Sequence, residues 1–264
     1  MGAIRAPAVA GTFYPADADP LRAAIEGYLA ASGARTTPMP KAVIAPHAGY
    51  VYSGPVAGHA FAALGDGASA IRRAVVIGPA HFVPIRGLAL PSAKAFRTPL
   101  GDLPLDGDAI EAIRDLPQVR FAEAPHRPEH ALEVELPFLQ TVLGEFWLVP
   151  LLVGDATPGE VAQVLGRLWD GPETLLVISS DLSHYESYER ARAHDAATAA
   201  AIERLEFADL GPRDACGWLG VAGLLIEARR RGMQAVRLDL RNSGDTAGPR
   251  DQVVGYGAWA FHQP

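Results

Sequence analysis

The sequence predicts a single α/β domain, residues 1–264, built on a central mixed sheet flanked by helices. Three observations carry that expectation. Short apolar runs of the kind that form buried strands alternate with helix-period segments from one end of the chain to the other. Three of those runs, Ala42 to Ala45, Ala74 to Ile77 and Leu175 to Ile178, each give way to a loop that presents a histidine: His47, His81 and His184. At 264 residues and 49% hydrophobic content, the chain is also long enough to bury one large core.

Residues 5 to 15 (RAPAVAGTFYP) are punctuated by proline and glycine and read as an irregular N-terminal arm. A helix starts between Asp17 and Pro20, carries Leu21, Ile25, Tyr28 and Leu29 at helical spacing, and stops at Ser32-Gly33. Residues 36–40 link it to the first histidine-bearing strand. Beyond His47, Pro55 to Leu64 reads as a short helix, with His59 in a structural or merely exposed role. After the second strand, Leu88 to Leu90 reads as a strand and Phe96 to Gly101 as a turn-rich loop. Asp106 to Leu116 reads as an amphipathic helix with Ile110 and Ile113 on one face, and Phe121 belongs to a short strand. Glu129, Glu133 and Leu136 share a face of a further helix that Pro137 bends or ends.

Phe146 to Val153 is an apolar strand. Thr157, with Glu160 three residues on, has the capping-box pattern for a helix running to Leu168. Arg190 to Leu205 is a long helix, and Asp214 to Arg231 holds another that begins near Cys216. Val236 to Leu240 is a strand, Asn242 to Gly248 a turn, and Val253 to Phe261 a final strand broken by glycines. Local patterns of this kind say nothing about strand order.

Composition excludes some classes of function. A net charge of −7, with Arg229-Arg230-Arg231 as the densest basic cluster, argues against nucleic acid as a partner. That cluster sits at a helix end, where cations complement the dipole. The single cysteine rules out an intrachain disulfide. With no signal-peptide layout and no apolar run near the roughly 20 residues of a membrane helix, the expectation is a cytoplasmic protein with no membrane association. The absence of G-x-G-x-x-G and GxxxxGK[ST] argues against a Rossmann cofactor or a P-loop nucleotide. Ser179-Ser180 lacks the glycine elbow of a serine hydrolase.

Ligands of open α/β folds bind at the carboxyl edge of the sheet, which is where the three histidine loops fall. Two histidines on separate strand ends, with an Asp181-x-x-His184 on a third, supply donors that divalent metals accept. Cys216 reads either as a small buried hydrophobe or as a thiol activated at a helix start. Asp181 reads as a histidine-orienting partner, a ligand or an N-cap. Glu129, His130 and Glu133 read either as site residues or as solvent-facing charges.

Eight blocks resemble the Memo family (mediator of cell motility), whose bacterial and archaeal members are labelled AmmeMemoRadiSam system protein B. They are PAVAGTFYP (7–15), PHAGYVYSG (46–54), IGPAH (77–81), FRTPLG (96–101), EHALEVELPFL (129–139), SSDLSHY (179–185), Cys216-Gly217, and GD (244–245) with VVGY (253–256). The resemblance runs nearly end to end. It implies a fold like that of class III extradiol dioxygenases, the protocatechuate 4,5-dioxygenase B-subunit type. It also implies that His47 and His81 match the iron-binding histidines, that Cys216 stands where those enzymes carry a glutamate ligand, and that His184 matches the acid/base histidine. Asp181 and His130 match other pocket positions.

A thiolate in place of the carboxylate shifts metal preference toward Cu(I), Zn or a different iron chemistry, so ring cleavage is not implied. Residues 218–220, Trp-Leu-Gly, depart from the more polar run of eukaryotic members. The expected centre is therefore His47, His81 and Cys216 around iron, with copper or zinc as alternatives. His184, Asp181 and His130 are its catalytic side chains, and Tyr50, Tyr52, Phe82, Glu133 and Trp218 its pocket. The expected activity is a redox or oxygenase-like reaction on a small aromatic or other oxidisable ligand. A second expectation is a vestigial pocket that binds a peptide or a partner, for which the resemblance names radical-SAM and AMMECR-type proteins. A third is a metallohydrolase.

Overall fold

The computed structural model describes residues 3–33, 38–169 and 171–263. In chain order its strands and helices are β1 (Ile4–Arg5), α1 (Ala18–Ser32), β2 (Ala42–Ala45), α2 (Tyr50–Ala62), β3 (Arg73–Pro79), β4 (Leu88–Leu90), β5 (Ala95–Thr98) and β6 (Gly101–Pro104). They continue with α3 (Gly107–Glu111), β7 (Val119–Phe121), α4 (Glu123–His126), α5 (Leu136–Leu143), β8 (Trp147–Val153), α6 (Pro158–Leu168) and β9 (Thr174–Ser179). The chain ends through β10 (His184–Glu186), α7 (Tyr188–Glu203), α8 (Trp218–Arg230), β11 (Gln234–Asn242) and β12 (Val253–His262).

The main sheet runs β10-β12-β2-β9-β3-β8-β4-β7, with β11 also paired on β12. Its centre, β2-β9-β3-β8, is parallel throughout. These strands are apolar on both faces (AVIA, RAVVIGP, WLVPLLV and TLLVIS) because helices cover both sides. Strand alternation assigns the layers. A Cβ on Gly220 of α8 would touch Ile77 and Ile178, whereas one on Gly78 would touch Ala131, Leu132 and Ser179. The segment around 131–135 therefore lies on the face opposite α8. A smaller sheet pairs β1 with β5 and β5 with β6. No helix among the described residues is long and apolar enough to cross a membrane.

Most expected elements form, with instructive differences. Thr157 and Glu160 close the expected capping box at the start of α6. Gly33 ends α1 in the left-handed conformation, φ 59°, that glycine takes without a Cβ penalty. By contrast α2 begins at Tyr50, five residues before the expected start, and carries Pro55 in its interior. Its first N–H is satisfied by the N-terminal arm, Tyr50 N donating to Phe13 O at 2.7 Å. The expected loop at 96–101 is instead the end of β5, a turn at 99–100 and the start of β6. The expected 106–116 helix is only α3, although Ile110 and Ile113 are buried as foreseen.

No helix spans Glu129 to Leu136. A 3-10 turn at Glu133–Glu135 leads into α5, whose first turn holds Pro137. Proline there opens a helix rather than ending one, because the missing N–H falls among the unpaired donors. β12 is continuous through its glycines: a Cβ on Gly255 would strike the Asp195 carboxylate, and one on Gly257 the Trp259 ring. Of the linker expected at 36–40, the first two residues lie outside the described residues.

Candidate metal centre

The strand order brings the histidines together. β2 and β3 lie on either side of β9, in register at Ala45–Ser179 and Ile77–Ile178. The loops that follow all three strands therefore open at one edge of the sheet. His47 and His81 rings stand 5.3 Å apart, and His130 completes the cluster, 5.4 Å from His47 and stacked on His81 at 4.8 Å. Cys216 comes from the turn ahead of α8. One donor atom from each of His47, His81 and Cys216 falls within a set mutually 4.8 Å apart or closer.

Each of the three is held from behind. His47 is buried, with Nδ1 on Ser179 Oγ at 2.7 Å and Nε2 facing Cys216 Sγ at 3.3 Å. Its backbone N–H donates to Asp181 Oδ1 at 2.8 Å. His81 Nδ1 lies 2.8 Å from Glu129 Oε1, and its backbone N–H donates to Oε2 at 2.6 Å. A carboxylate behind an imidazole fixes the ring and raises the donor strength of its other nitrogen. Cys216 is clamped to Asp181 in both directions: Cys216 N donates to Asp181 O at 3.1 Å, and Asp181 N approaches Sγ at 3.3 Å. Gly217 admits this turn, since a Cβ there would lie 2.6 Å from Ser179 O.

Burial governs the charges. It pushes His47 well below the ordinary imidazole range, with repulsion from His81, His130 and His184 adding to it. It lowers His130 too, against the pull of Glu129. Burial lifts the Cys216 thiol to about 12, and the Asp181 charge adds to that. It raises the Asp181 carboxyl to about 6, opposed by His184 and by hydrogen bonds from the backbone of His47 and Ala48. For Glu129 burial works against ionisation. The hydrogen bond and charge of His81 and the N–H groups of residues 81 and 131 outweigh it and hold the carboxyl below its usual range.

Two imidazoles and one thiol are a donor set that iron, copper and zinc accept, so the residues present fit such an ion. His81, Glu129 and His130 form a second close cluster. Glu129 there already accepts from His81 Nδ1 and from the N–H groups of residues 81, 130 and 131. Its role is to hold His81.

The other expected site residues divide. His184 is exposed, its Nδ1 on Leu182 O at 2.8 Å. Phe82 is 57% exposed and its ring lies 5.7 Å from that of His130. Tyr52 is 39% exposed in the first turn of α2. Trp218 opens α8, half-buried against the core. Tyr50 is not a pocket residue: it is buried among Tyr14, Tyr28 and Phe138 with its hydroxyl on Val134 O.

Glu133 also leaves the pocket. Its carboxylate is buried against Arg5, the Tyr14 hydroxyl and the N–H groups of Ala8 and Val9, and so ties down the N-terminal arm. His59 stands beside Asp239 and Arg241, outside the cluster of His47, His81 and Cys216.

Sequence reasoning missed several contributors. Phe13 packs on His130 at 4.8 Å, reachable only because the arm folds back. Tyr185, 70% exposed, sits beside His184 at 5.7 Å and holds a positive φ of 58°. A bulky non-glycine residue in that conformation is strained, a condition that concentrates at functional sites. Glu135 lies behind Ser179, and its one sequence signal is an acid set among apolar residues (VELPF).

The model of the Memo-like protein family matches residues 5–260. Among curated relatives, a MEMO1 family protein of Aquifex aeolicus is 35% identical over 96% of this chain and 97% of its own length. One of Sulfolobus acidocaldarius is 34% identical, with 96% and 97% covered. Among solved structures, an uncharacterized Escherichia coli K12 protein aligns with a TM-score of 0.45 at 15% identity, covering 69% of this chain and 85% of the other.

Proposed function

Because this chain belongs to the Memo-like family, whose model spans residues 5–260, we propose that the histidine-bearing edge of its sheet is a mononuclear metal centre of His47, His81 and Cys216 serving redox chemistry on a small oxidisable ligand. The observation that carries this reading is the convergence of three donors within 4.8 Å, each backed by its own partner. Iron is the first candidate, then copper or zinc. When bound, iron or copper supplies electron transfer to or from a ligand, and zinc supplies Lewis acidity.

The chain's own residues set the rest. Ser179 and Glu129 orient the two imidazoles. Asp181 aligns the His47 backbone with the Cys216 turn, and its raised pKa reflects that buried post. His184, with Nδ1 engaged on Leu182 O, offers Nε2 to take or give a proton. Phe13, Phe82, Tyr52 and Tyr185 give the mouth an aromatic character that suits a flat ring.

Metal content by mass spectrometry on anaerobically purified protein tests the reading. Near-stoichiometric iron or copper, lost in both His47→Ala and Cys216→Ser, is the expected result. Absence of metal even after anaerobic loading overturns it. The outward-facing Phe82 and Tyr185 support a second reading, a pocket that binds a peptide or partner protein; binding with no metal present would favour it.

A further inference from the structure

Ser179 Oγ has three polar neighbours: His47 Nδ1 at 2.7 Å, Ala131 O at 2.6 Å and Glu135 Oε1 at 2.8 Å. A hydroxyl carries one hydrogen and accepts through two lone pairs. Ala131 O can only accept, so at 2.6 Å it takes the Ser179 hydrogen. The remaining two neighbours must then donate. For His47 this means a hydrogen on Nδ1. For Glu135 it means a protonated carboxyl, because an ionised one would set two acceptors 2.8 Å apart with no hydrogen between them.

The surroundings agree. Glu135 is fully buried, and its Oε2 has no hydrogen-bond partner among the described residues. A neutral carbonyl oxygen tolerates that position far better than a charged one. Burial, reinforced by the Asp181 charge, also raises the Glu135 carboxyl well above its ordinary range, against the pull of Ser179.

We propose that Glu135 is a neutral carboxylic acid that acts as a positioning residue, donating to Ser179 Oγ and thereby locking His47 with its hydrogen on Nδ1 and its lone pair on Nε2. The two histidines of the centre are then unequal. His81 is backed by a carboxylate, which strengthens it as a donor. His47 is backed by a hydroxyl whose own acceptor capacity is filled by an uncharged acid, so its orientation is fixed without adding negative charge beside Cys216 and Asp181. The inference rests on the metal-centre reading only in the cobalt arm of its test.

Metal-free wild type, Glu135→Gln and Glu135→Leu would be compared by long-range ¹H–¹⁵N correlation at His47, assigned by difference against His47→Ala. Infrared difference spectra would be recorded on the same proteins, followed by Co(II) titration. The expected wild type shows a single Nδ1–H tautomer and a protonated carboxyl band that disappears in Glu135→Gln. Glutamine, whose NH₂ also donates to Ser179, retains the tautomer and Co(II) affinity close to wild type. Leucine mixes the tautomers and weakens Co(II) about 10- to 100-fold, the usual effect of losing an outer-shell partner.

Absence of the protonated band in wild type, which needs no fragile variant, overturns the proposal. So does a glutamine variant as impaired as leucine, or a leucine variant with wild-type tautomer and affinity. Wild type that shows the band and the tautomer yet binds no Co(II) supports the proposal and sinks the metal centre instead.

Discussion

Metal uptake should be coupled to the loss of one proton from Cys216, and the coupling can be worked from the site. Burial places the thiol at about 12, so at pH 7 it is protonated and must ionise to ligate. Five pH units correspond to about 7 kcal/mol of intrinsic metal–thiolate affinity spent on deprotonation, at 1.36 kcal/mol per unit. This is an upper bound, because Cys216 is only partly shielded from solvent. Below the thiol pKa, apparent affinity through the thiolate rises tenfold per pH unit as protons become scarcer. His47 contributes nothing to this slope, being already neutral.

The assay is a Zn(II) or Co(II) titration against a pH-corrected competing chelator between pH 7 and 9.5. Wild type would be run beside Cys216→Ser, so that protons released elsewhere cancel. The slopes of log affinity against pH should differ by about one. Equal slopes would show that the thiol is not a ligand or is already ionised, and the argument from burial would fail.

Four further outcomes follow from the geometry. Glu133→Gln should lose about 3–5 kcal/mol in urea denaturation, since it breaks a buried pair with Arg5, and should speed hydrogen exchange at Ala8 and Val9; a loss under about 1 kcal/mol would refute the anchoring role. Glu129→Gln keeps the shape behind His81 but removes the charge, and metal affinity should fall about 10- to 100-fold with little change in thermal midpoint.

Gly217→Ala places a Cβ 2.6 Å from Ser179 O, so about 1–3 kcal/mol of stability and much of the metal affinity should go together. Asp181 has its folded pKa raised from 3.8 to about 6, so it favours folding at low pH and loses that contribution as pH rises through this window. In metal-free protein this amounts to roughly 2 kcal/mol between pH 4 and 7, a decline that Asp181→Asn should flatten in denaturant titrations.

The strands and the histidine loops were legible because both are local. β2 and β4 begin and end where apolar runs do, and the α6 capping box needs only Thr157 and Glu160. The site residues that were misplaced depend on distant chain. Glu133 looked like a pocket carboxylate because its sequence neighbour His130 is at the centre; its actual partners, Arg5 and Tyr14, lie more than a hundred residues away. Tyr50 follows the same logic, turned inward by the helix that begins there. Pro137 reads as bending or ending a helix, an expectation that its position in the first turn of α5 reverses. Strand order, which decides that His47 and His81 flank one strand, has no local signal at all.

That order has a consequence for how the chain comes into being. β2 is made well before both strands it pairs with, since β9 begins at Thr174 and β12 at Val253. While the chain emerges from the ribosome, an apolar AVIA segment must wait with both edges open. His47 and Cys216 are 169 residues apart, so their meeting is among the last contacts to close. Pairing over such separations is slow. The sheet must assemble first, on its own hydrophobic account. An ion at the proposed centre would then be loaded as a step of maturation, and stripping it should leave a folded, refillable protein.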